Sequence, residues 1–264
     1  MRVELTFTGT GTSQGVPVIG CTCPVCTSHD PHDRRLRTSA VIRAGGRTVS
    51  IDAGPDFRQQ MLTHEVVDLD AVVFTHEHKD HVAGLDDVRA YNFIQGREMP
   101  VYATERVEAA LRREFHYIFD ADPYPGIPRI DLHRIDASPF EVGTATWYPL
   151  PVLHARMPVH GYRVGGVAYI TDANHLTPLA WERLQGVDIL VLNALRKKEH
   201  VSHFTLAEAL AVIEEVQPRQ AFLTHLSHQM GRAQDLPTEL PPHVHVAYDG
   251  LQVVSEGNAW SPVS

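Results

Sequence analysis

The sequence is poor in cysteine, in basic residues and in long hydrophobic runs. Its three cysteines all lie between Cys21 and Cys26, too few and too close together for a disulfide framework. No stretch approaches the roughly 18 to 20 consecutive apolar residues of a membrane span, and the N-terminus lacks the apolar core of a signal peptide. These absences predict a cytoplasmic protein that does not enter a membrane and whose reduced thiols are free to bind metal.

The shortage of basic residues also restricts the binding partners. The chain has 23 Lys+Arg against 32 Asp+Glu and a formal net charge of −9. Such a surface repels a polyanion, so the composition disfavours nucleic acid as a partner. It remains compatible with a small anionic substrate that binds to metal ions. The 17 histidines exceed what ordinary surface histidines explain.

The length of 264 residues and the 43% hydrophobic content suit one domain spanning residues 1–264. Strand-like runs are predicted at Val3 to Thr8, Ser39 to Ala44, Thr48 to Asp52, Ala71 to Phe74, Thr144 to Val152, Gly161 to Val164, Ala168 to Thr171, Ile189 to Leu192, Ala221 to Thr224 and His245 to Asp249. Helices are predicted at Pro55 to His64, Val82 to Asn92, Arg106 to Tyr117, Pro178 to Leu184 and Leu206 to Val216. This order predicts a layered α/β domain with helices outside the sheet.

Two segments interrupt these patterns. The proline-rich stretch Asp122 to Pro128 predicts an exposed loop, within a segment from Phe115 to Arg129 that we expect to shape a pocket. The last residues, Gly257 to Ser264, are expected to fray.

Metal-ligand residue types follow the buried strand Ala71 to Phe74. His76, His78, Asp80 and His81 form the pattern His-x-His-x-Asp-His, in which imidazoles and a carboxylate can aim at two adjacent points. These groups suit zinc, manganese and iron alike. A histidine-rich surface loop is the simpler alternative, but this spacing favours metal binding.

Four ligands cannot complete two metal sites, so further ligands are required. Three apolar runs end in a suitable side chain: Trp147 to Leu153 in His154, Val167 to Thr171 in Asp172, and Ala221 to Thr224 in His225. Taken singly, each could be an ordinary polar residue at a strand end.

With these motifs the chain resembles the metallo-β-lactamase superfamily, from Gly9 to Gly15 through Ile51-Asp-Ala-Gly54 to Thr224-His-Leu-Ser-His228. The resemblance implies a four-layer αββα sandwich of α/β class with a dinuclear site. It assigns His76, His78 and His154 to one divalent ion, Zn or Mn, assigns Asp80, His81 and His225 to the other, and makes Asp172 the bridge. Asp52 is expected to orient a ligand histidine without binding metal itself.

The cysteines indicate which members of the superfamily the chain resembles most. Cys21, Cys23 and Cys26 offer three corners of a zinc tetrahedron, in a predicted zinc-binding loop at 20–27. Thr8 to Pro17, Gly20 to Cys26 and Leu223 to Gln229 are similar to the phosphodiesterases of the carbon-phosphorus lyase pathway, which implies that His228 is the fourth ligand of a structural zinc. Buried, reduced cysteines without metal are the alternative. Because similar proteins are often dimers, the resemblance also leaves a homodimer open.

The resemblance implies a metal-dependent phosphodiesterase that cleaves small cyclic or linear phosphodiesters by metal-hydroxide attack. His203 is the candidate general acid, since His203-Phe-Thr205 resembles the His-x-Thr loop of tRNA 3′-processing endonucleases. A helix cap formed by Thr205 and Glu208 is compatible with that role. The predicted catalytic residues are His203 and Asp80, the latter also a metal ligand.

Three other functions share the motifs. They are tRNA 3′-end cleavage, a non-hydrolytic role in cofactor biosynthesis, and hydrolysis of a thiolester or lactone. The acidic surface argues against the first, and the intact ligand set argues against the second. Lys197 and Lys198 have no assigned role, and His160, His175 and His200 are treated as ordinary.

Overall fold

The structure, a computed structural model, describes residues 1–120 and 124–257. Its strands are β1 Val3–Gly9, β2 Ser39–Ala44, β3 Arg47–Ile51, β4 Ala71–Val73, β5 Met99–Ala103, β6 Ile130–Arg134, β7 Phe140–Val142, β8 Ala145–His154, β9 Met157–Val164, β10 Val167–Ile170, β11 His175–Leu176, β12 Ile189–Asn193, β13 Gln220–Thr224, β14 Val244–Val246 and β15 Gln252–Ser255. Its α-helices are α1 Phe57–Thr63, α2 Lys79–Val82, α3 Arg89–Gln95, α4 Glu105–Glu114, α5 Pro178–Leu184 and α6 Leu206–Val216, and 3-10 turns cover Pro31–Asp33, Leu85–Val88, His116–Phe119 and Leu236–Glu239.

The strands form two mixed sheets. The first has seven strands in the order β15-β1-β2-β3-β4-β5-β6, and the second has eight, in the order β11-β8-β9-β10-β12-β13-β14 with β7 paired to β8. Each sheet contains an antiparallel part followed by a parallel part, which runs from β3 to β6 in the first sheet and from β10 to β14 in the second. Parallel strands point their carboxyl ends toward one edge, so loops that follow them meet there.

Three apolar cores separate the layers. The middle core lies between the sheets and contains Phe7, Trp147, Tyr162 and Phe222. A second core joins the outer face of the first sheet to α1, α3 and α4, and a third joins the second sheet to α5 and α6. The predicted four-layer αββα sandwich is therefore confirmed, because each sheet buries both faces.

Several predicted elements differ from the structure. The expected helix Val82 to Asn92 is divided into α2, a 3-10 turn and α3, because the chain bends at Gly84, whose amide donates to the carbonyl of Ala53 at 2.8 Å. The helix expected at Arg106 to Tyr117 ends at Glu114 and continues as a separate 3-10 turn.

Several short strands at or next to the sheet edges escaped prediction. Among them, β5 contains Pro100, β6 keeps Asp131 exposed, and β15 is only four residues long, so none shows a clear alternation of buried and polar residues. Residues 122–123 of the predicted loop Asp122 to Pro128 lie outside the described residues, as do residues 258–264 of the expected frayed end. In the part that is described, no helix has the length and apolar character needed to cross a bilayer.

Candidate metal centre

The predicted ligands come together at one edge of the sandwich. His76 and His78 follow β4, His154 ends β8, Asp172 follows β10 and His225 follows β13. Ligand atoms lie within 4.8 Å of one another in three groups that all contain Asp172: with His76 and His78, with His81 and His225, and with His154 and His203. Asp172 is thus at the centre of the cluster, where the sequence analysis expected a bridging carboxylate.

The distances around Asp172 are short. Its Oδ1 lies 3.0 Å from Nδ1 of His225 and 3.4 Å from Nε2 of His81, and its Oδ2 lies 3.7 Å from Nε2 of His76. Asp80 reaches the same group, with Oδ2 3.2 Å from Nε2 of His81. All seven side chains expected at a dinuclear site therefore surround one small volume, since His154 also lies beside His78, with 5.1 Å between ring centroids.

The donor atoms suit metal ions. Nε2 of His76 and Nε2 of His81 are buried near carboxylate oxygens, but among the described residues neither nitrogen meets a partner in hydrogen-bond geometry. Buried polar atoms normally have a partner, so these nitrogens point to a ligand that completes the site. Nitrogen and carboxylate oxygen are the donors that zinc and manganese accept.

Hydrogen bonds on the far side of the rings fix which nitrogen faces the cluster. Nδ1 of His154 donates to the carbonyl of Ser202 at 2.8 Å, and Nδ1 of His81 lies 2.7 Å from Oδ2 of Asp52. The other nitrogen of each ring, Nε2, is thereby left for a metal. Asp52 also accepts from the amide and hydroxyl of Thr75, both at 2.8 Å, which is the orienting contact that the sequence predicted for it.

Electrostatics in the cluster couple the carboxylates to His81. Burial alone would lower the pKa of His81, but Asp80, Asp172 and Asp52 outweigh it and hold that pKa well above its usual value. Burial likewise opposes ionisation of Asp172, yet His225 and His81 hold its pKa well below the usual range. Asp80 and Asp172 therefore remain charged, and a cation such as a divalent metal fits beside them.

Backbone strain is concentrated at this edge. Asp52, Asp172 and His225 have φ of 66°, 52° and 56°, in the left-handed region that residues with a side chain rarely adopt. Strain of this kind persists where surrounding contacts enforce it, and it is common at functional sites. The turn after Asp52 also explains Gly54, because a Cβ there would collide with the carbonyl oxygen of Asp80. Gly54 lets the Asp52 turn approach the ligand loop closely.

His203 lies beside the cluster but is held by a different loop. Its ring centroid is 4.4 Å from that of His154 and 4.8 Å from that of His225. Burial, and then the neighbouring His225, lower the pKa of His203 to about 2. The ring is therefore neutral in this environment. His203 also belongs, with His154 and Asp172, to one of the three groups named above.

The cysteines form a second cluster with His228. Nδ1 of His228 lies 3.3 Å from Sγ of Cys21 and 3.4 Å from Sγ of both Cys23 and Cys26. These separations are close to the edge of a tetrahedron of zinc ligands, about 3.5 Å for ordinary Zn–S and Zn–N bonds. The Cys26 amide is the main reason that the pKa of Cys23 is lowered to about 6, which favours the thiolate that binds metal. The donor set therefore fits a structural zinc.

Sequence reasoning missed the threonines that support the ligands. Thr75 and Thr171 each directly precede a ligand at a strand end; Thr75 Oγ1 lies 2.9 Å from Nδ1 of His76, and Thr171 Oγ1 donates to Asp172 at 2.6 Å. The repeated Thr-ligand pair was a signal in the sequence. Thr38, whose Oγ1 lies 3.1 Å from Nδ1 of His225, had no such signal because it is 187 residues away in sequence.

An αββα sandwich with histidine and carboxylate clusters at its strand ends is the arrangement expected of the metallo-β-lactamase superfamily. The chain belongs to this superfamily, since residues 47–226 match the beta-lactamase superfamily domain.

Two relatives are similar over nearly all of this chain. A solved structure of a diphosphatase from the PhnP family is 41% identical, with a TM-score of 0.91 over 98% of this chain and 99% of that one. An octanoyltransferase from Porphyromonas gingivalis is 43% identical over 93% of this chain. The chain spans only 50% of the length of that relative.

A third relative is more distant. A ribonuclease Z from Pyrobaculum calidifontis is 26% identical over 77% of this chain and 86% of that protein. The family therefore includes proteins with different named activities, and the reaction has to be argued from the site.

Proposed function

We propose that the protein is a dinuclear-metal phosphodiesterase for small cyclic or linear substrates. The observation that carries the proposal is the convergence of three ligand groups on Asp172, with His203 beside them. His76, His78 and His154 would hold one ion, and Asp80, His81 and His225 the other, with Asp172 shared. Two divalent ions at these positions would supply activated water and stabilise charge on the phosphoryl oxygens.

The chain itself must deliver a proton to the leaving oxygen. His203 has a buried Nδ1 without a hydrogen-bond partner among the described residues, and its loop is attached to the metal ligands through the Ser202 carbonyl. An anionic phosphate beside the ring raises its proton affinity, so the imidazole gains a proton when substrate binds. His203 can then donate that proton to the departing alkoxide.

Hydrolysis of a diphosphate bond is the second candidate. It is favoured by the 41% identity to the PhnP-family diphosphatase over nearly the full length of both chains. The attacked phosphorus of a substituted diphosphate, like that of a phosphodiester, has two bridging oxygens. The two reactions differ in the leaving group, because a phosphate leaves more readily than an alkoxide and needs less help from an acid.

The other family functions fit less well. The net charge of −9 disfavours a long RNA as substrate. The full set of seven convergent side chains argues against a non-hydrolytic role, for which a complete dinuclear site is unnecessary.

The leaving group provides the test. Metal-loaded wild type and His203→Gln would be assayed on 2′,3′-cyclic AMP, diadenosine diphosphate and bis(p-nitrophenyl) phosphate. For the alkoxide of cyclic AMP we expect His203→Gln to lower kcat by about 10²- to 10⁴-fold, the usual contribution of a general acid. For the more acidic phosphate and nitrophenol the loss should be much smaller.

His133→Gln is the matched control, since His133 is a partly exposed histidine on β6. It should leave all three rates unchanged. An equal loss of activity with His203→Gln on every substrate would show that His203 is not the general acid. If the wild type with two bound metals cleaved none of the three, the proposed function would be wrong.

A further inference from the structure

The loop from Arg196 to His203 is held by hydrogen bonds from two side chains, Arg196 and Asn174. The guanidinium of Arg196 donates to the carbonyls of Lys198 at 3.2 Å and Glu199 at 2.7 Å, and to Oε1 of Gln229 at 2.9 Å. Asn174 adds a bond from Nδ2 to the carbonyl of Val201 at 3.0 Å. The loop is therefore held in one shape, and its two histidines have defined places.

His200 is the next imidazole outward from the metal ligands. Its ring centroid lies 5.2 Å from that of His203, which in turn contacts the ligands His154 and His225. The same loop is more exposed on the N-terminal side of His203, which is 8% exposed: Ser202 and His200 are half-buried, and Val201 is 79% exposed. The loop thus leads from the buried centre to solvent.

Hydrogen bonding determines what His200 can offer. The amide of Ser202 donates to Nδ1 of His200 at 3.4 Å, so Nδ1 is an acceptor and the proton of the neutral ring is on Nε2. Burial, Arg196 and His154 lower the pKa of His200, so the ring is neutral at pH 7. Within the described residues, Nε2 of the half-buried His200 makes no hydrogen bond. His200 therefore presents a free N–H donor.

In the proposed reaction, the leaving group of the bound substrate would lie close to this donor. Its phosphoryl oxygens lie at the metal ligands and its leaving oxygen lies at His203. The remainder of the leaving group must then extend toward solvent, and the loop offers that direction.

We propose that His200 is a specificity-determining residue whose Nε2–H donates a hydrogen bond to an oxygen of the leaving group. The inference rests on the proposed phosphodiesterase function. The preferred leaving groups are those with a sugar or phosphate oxygen close to the scissile bond, as in a ribose cyclic phosphate or a nucleoside monophosphate. Arg196 acts as a positioning residue, because it orders the loop without facing the substrate.

The experiment compares His200→Ala and His200→Gln with wild type on the three substrates named above. For 2′,3′-cyclic AMP and diadenosine diphosphate, His200→Ala should raise KM about three- to tenfold, the worth of one hydrogen bond, while kcat changes less than about twofold. His200→Gln should recover part of the loss, because its amide also donates. Neither variant should affect bis(p-nitrophenyl) phosphate, whose leaving group has no oxygen acceptor next to the scissile bond.

Glu199→Gln is the matched control, since Glu199 is the exposed neighbour whose side chain makes no contact recorded within the described chain. It should behave as wild type on all substrates, and all variants should show the same thermal midpoint.

Each contrary result has a distinct meaning. An equal change on every substrate, or no change on either oxygen-bearing substrate, would overturn the role of His200. So would wild-type turnover of bis(p-nitrophenyl) phosphate alone. If the wild type cleaved none of the three substrates, the proposed phosphodiesterase function itself would be wrong.

Discussion

His160 is a half-buried histidine next to the ligand loop that the proposed chemistry leaves unused. Its amide donates to the carbonyl of Thr75 at 3.1 Å, and its Nδ1 is buried without a hydrogen-bond partner among the described residues. Burial lowers the pKa of His160 to about 4, nearby Arg183 adds to that effect, and Asp136 opposes it. The folded protein therefore keeps this ring neutral where the unfolded chain would protonate it.

This shift predicts a pH dependence of stability. A depressed histidine pKa contributes stability that is present above the unfolded value near 6.5 and is lost as the pH falls toward 4. His160→Phe keeps the ring packing and removes the titration. Between pH 7 and pH 4.5, the wild type should lose on the order of 2 kcal/mol more unfolding free energy than the variant, measured by urea titration. Parallel losses in the two proteins would show that His160 does not titrate as inferred.

Some residues of the site can be predicted from the sequence, and others cannot. His76, His78, Asp80 and His81 are predictable because a local spacing encodes them. Their closeness to His225 was expected only from a family resemblance, since His81 and His225 are 144 positions apart, and that separation leaves no local pattern.

Helix α6 shows how an element can serve the site. Thr205 accepts from the amide of Glu208 at 3.2 Å, and the carboxylate of Glu208 accepts from the Thr205 amide at 2.8 Å, which completes a capping box. The cap begins two residues after His203, so it fixes the end of the loop that carries His203. This cap was predicted from sequence and is confirmed.

Loss of the cap should therefore affect both stability and catalysis. Thr205→Ala should cost about 1 kcal/mol of unfolding free energy and lower kcat for cyclic AMP several-fold, because His203 is less well held. Thr177→Ala is the control, since Thr177 caps α5 through the amide of Ala180 and is remote from His203 in the chain. It should cost similar stability with unchanged kcat. Equal kcat in the two variants would separate the cap from catalysis.

Elements that depend on distant contacts were harder to predict. The break between α2 and α3 follows from the close approach of Gly84 to the Asp52 turn, where a Cβ at Gly84 would collide with the Gly54 carbonyl. A helical pattern in sequence does not reveal such a contact. The edge strands β6 and β15 likewise exist because a neighbouring strand pairs with them.

At the scale of the molecule, both clusters can be tested by counting metals. The protein purified with its metals should contain three per chain by elemental analysis, and one should resist mild chelation because the Cys21, Cys23, Cys26 and His228 site is closed. Cys23→Ser should lose the resistant ion and keep the other two. A total of one metal per chain would contradict the scheme.

The sequence by itself determined the layered α/β class, the ligand loop at His76 to His81, the cysteine loop and the cap of α6. Each depends on local periodicity or spacing, which short-range sterics and hydrogen bonding impose wherever the segment lies. Only the tertiary structure decided that His154, Asp172, His203 and His225 meet, that Thr38 supports a ligand, and that His200 lies outward from His203. Those relations depend on how two sheets align their strand ends, and chain segments far apart in sequence set that alignment through packing.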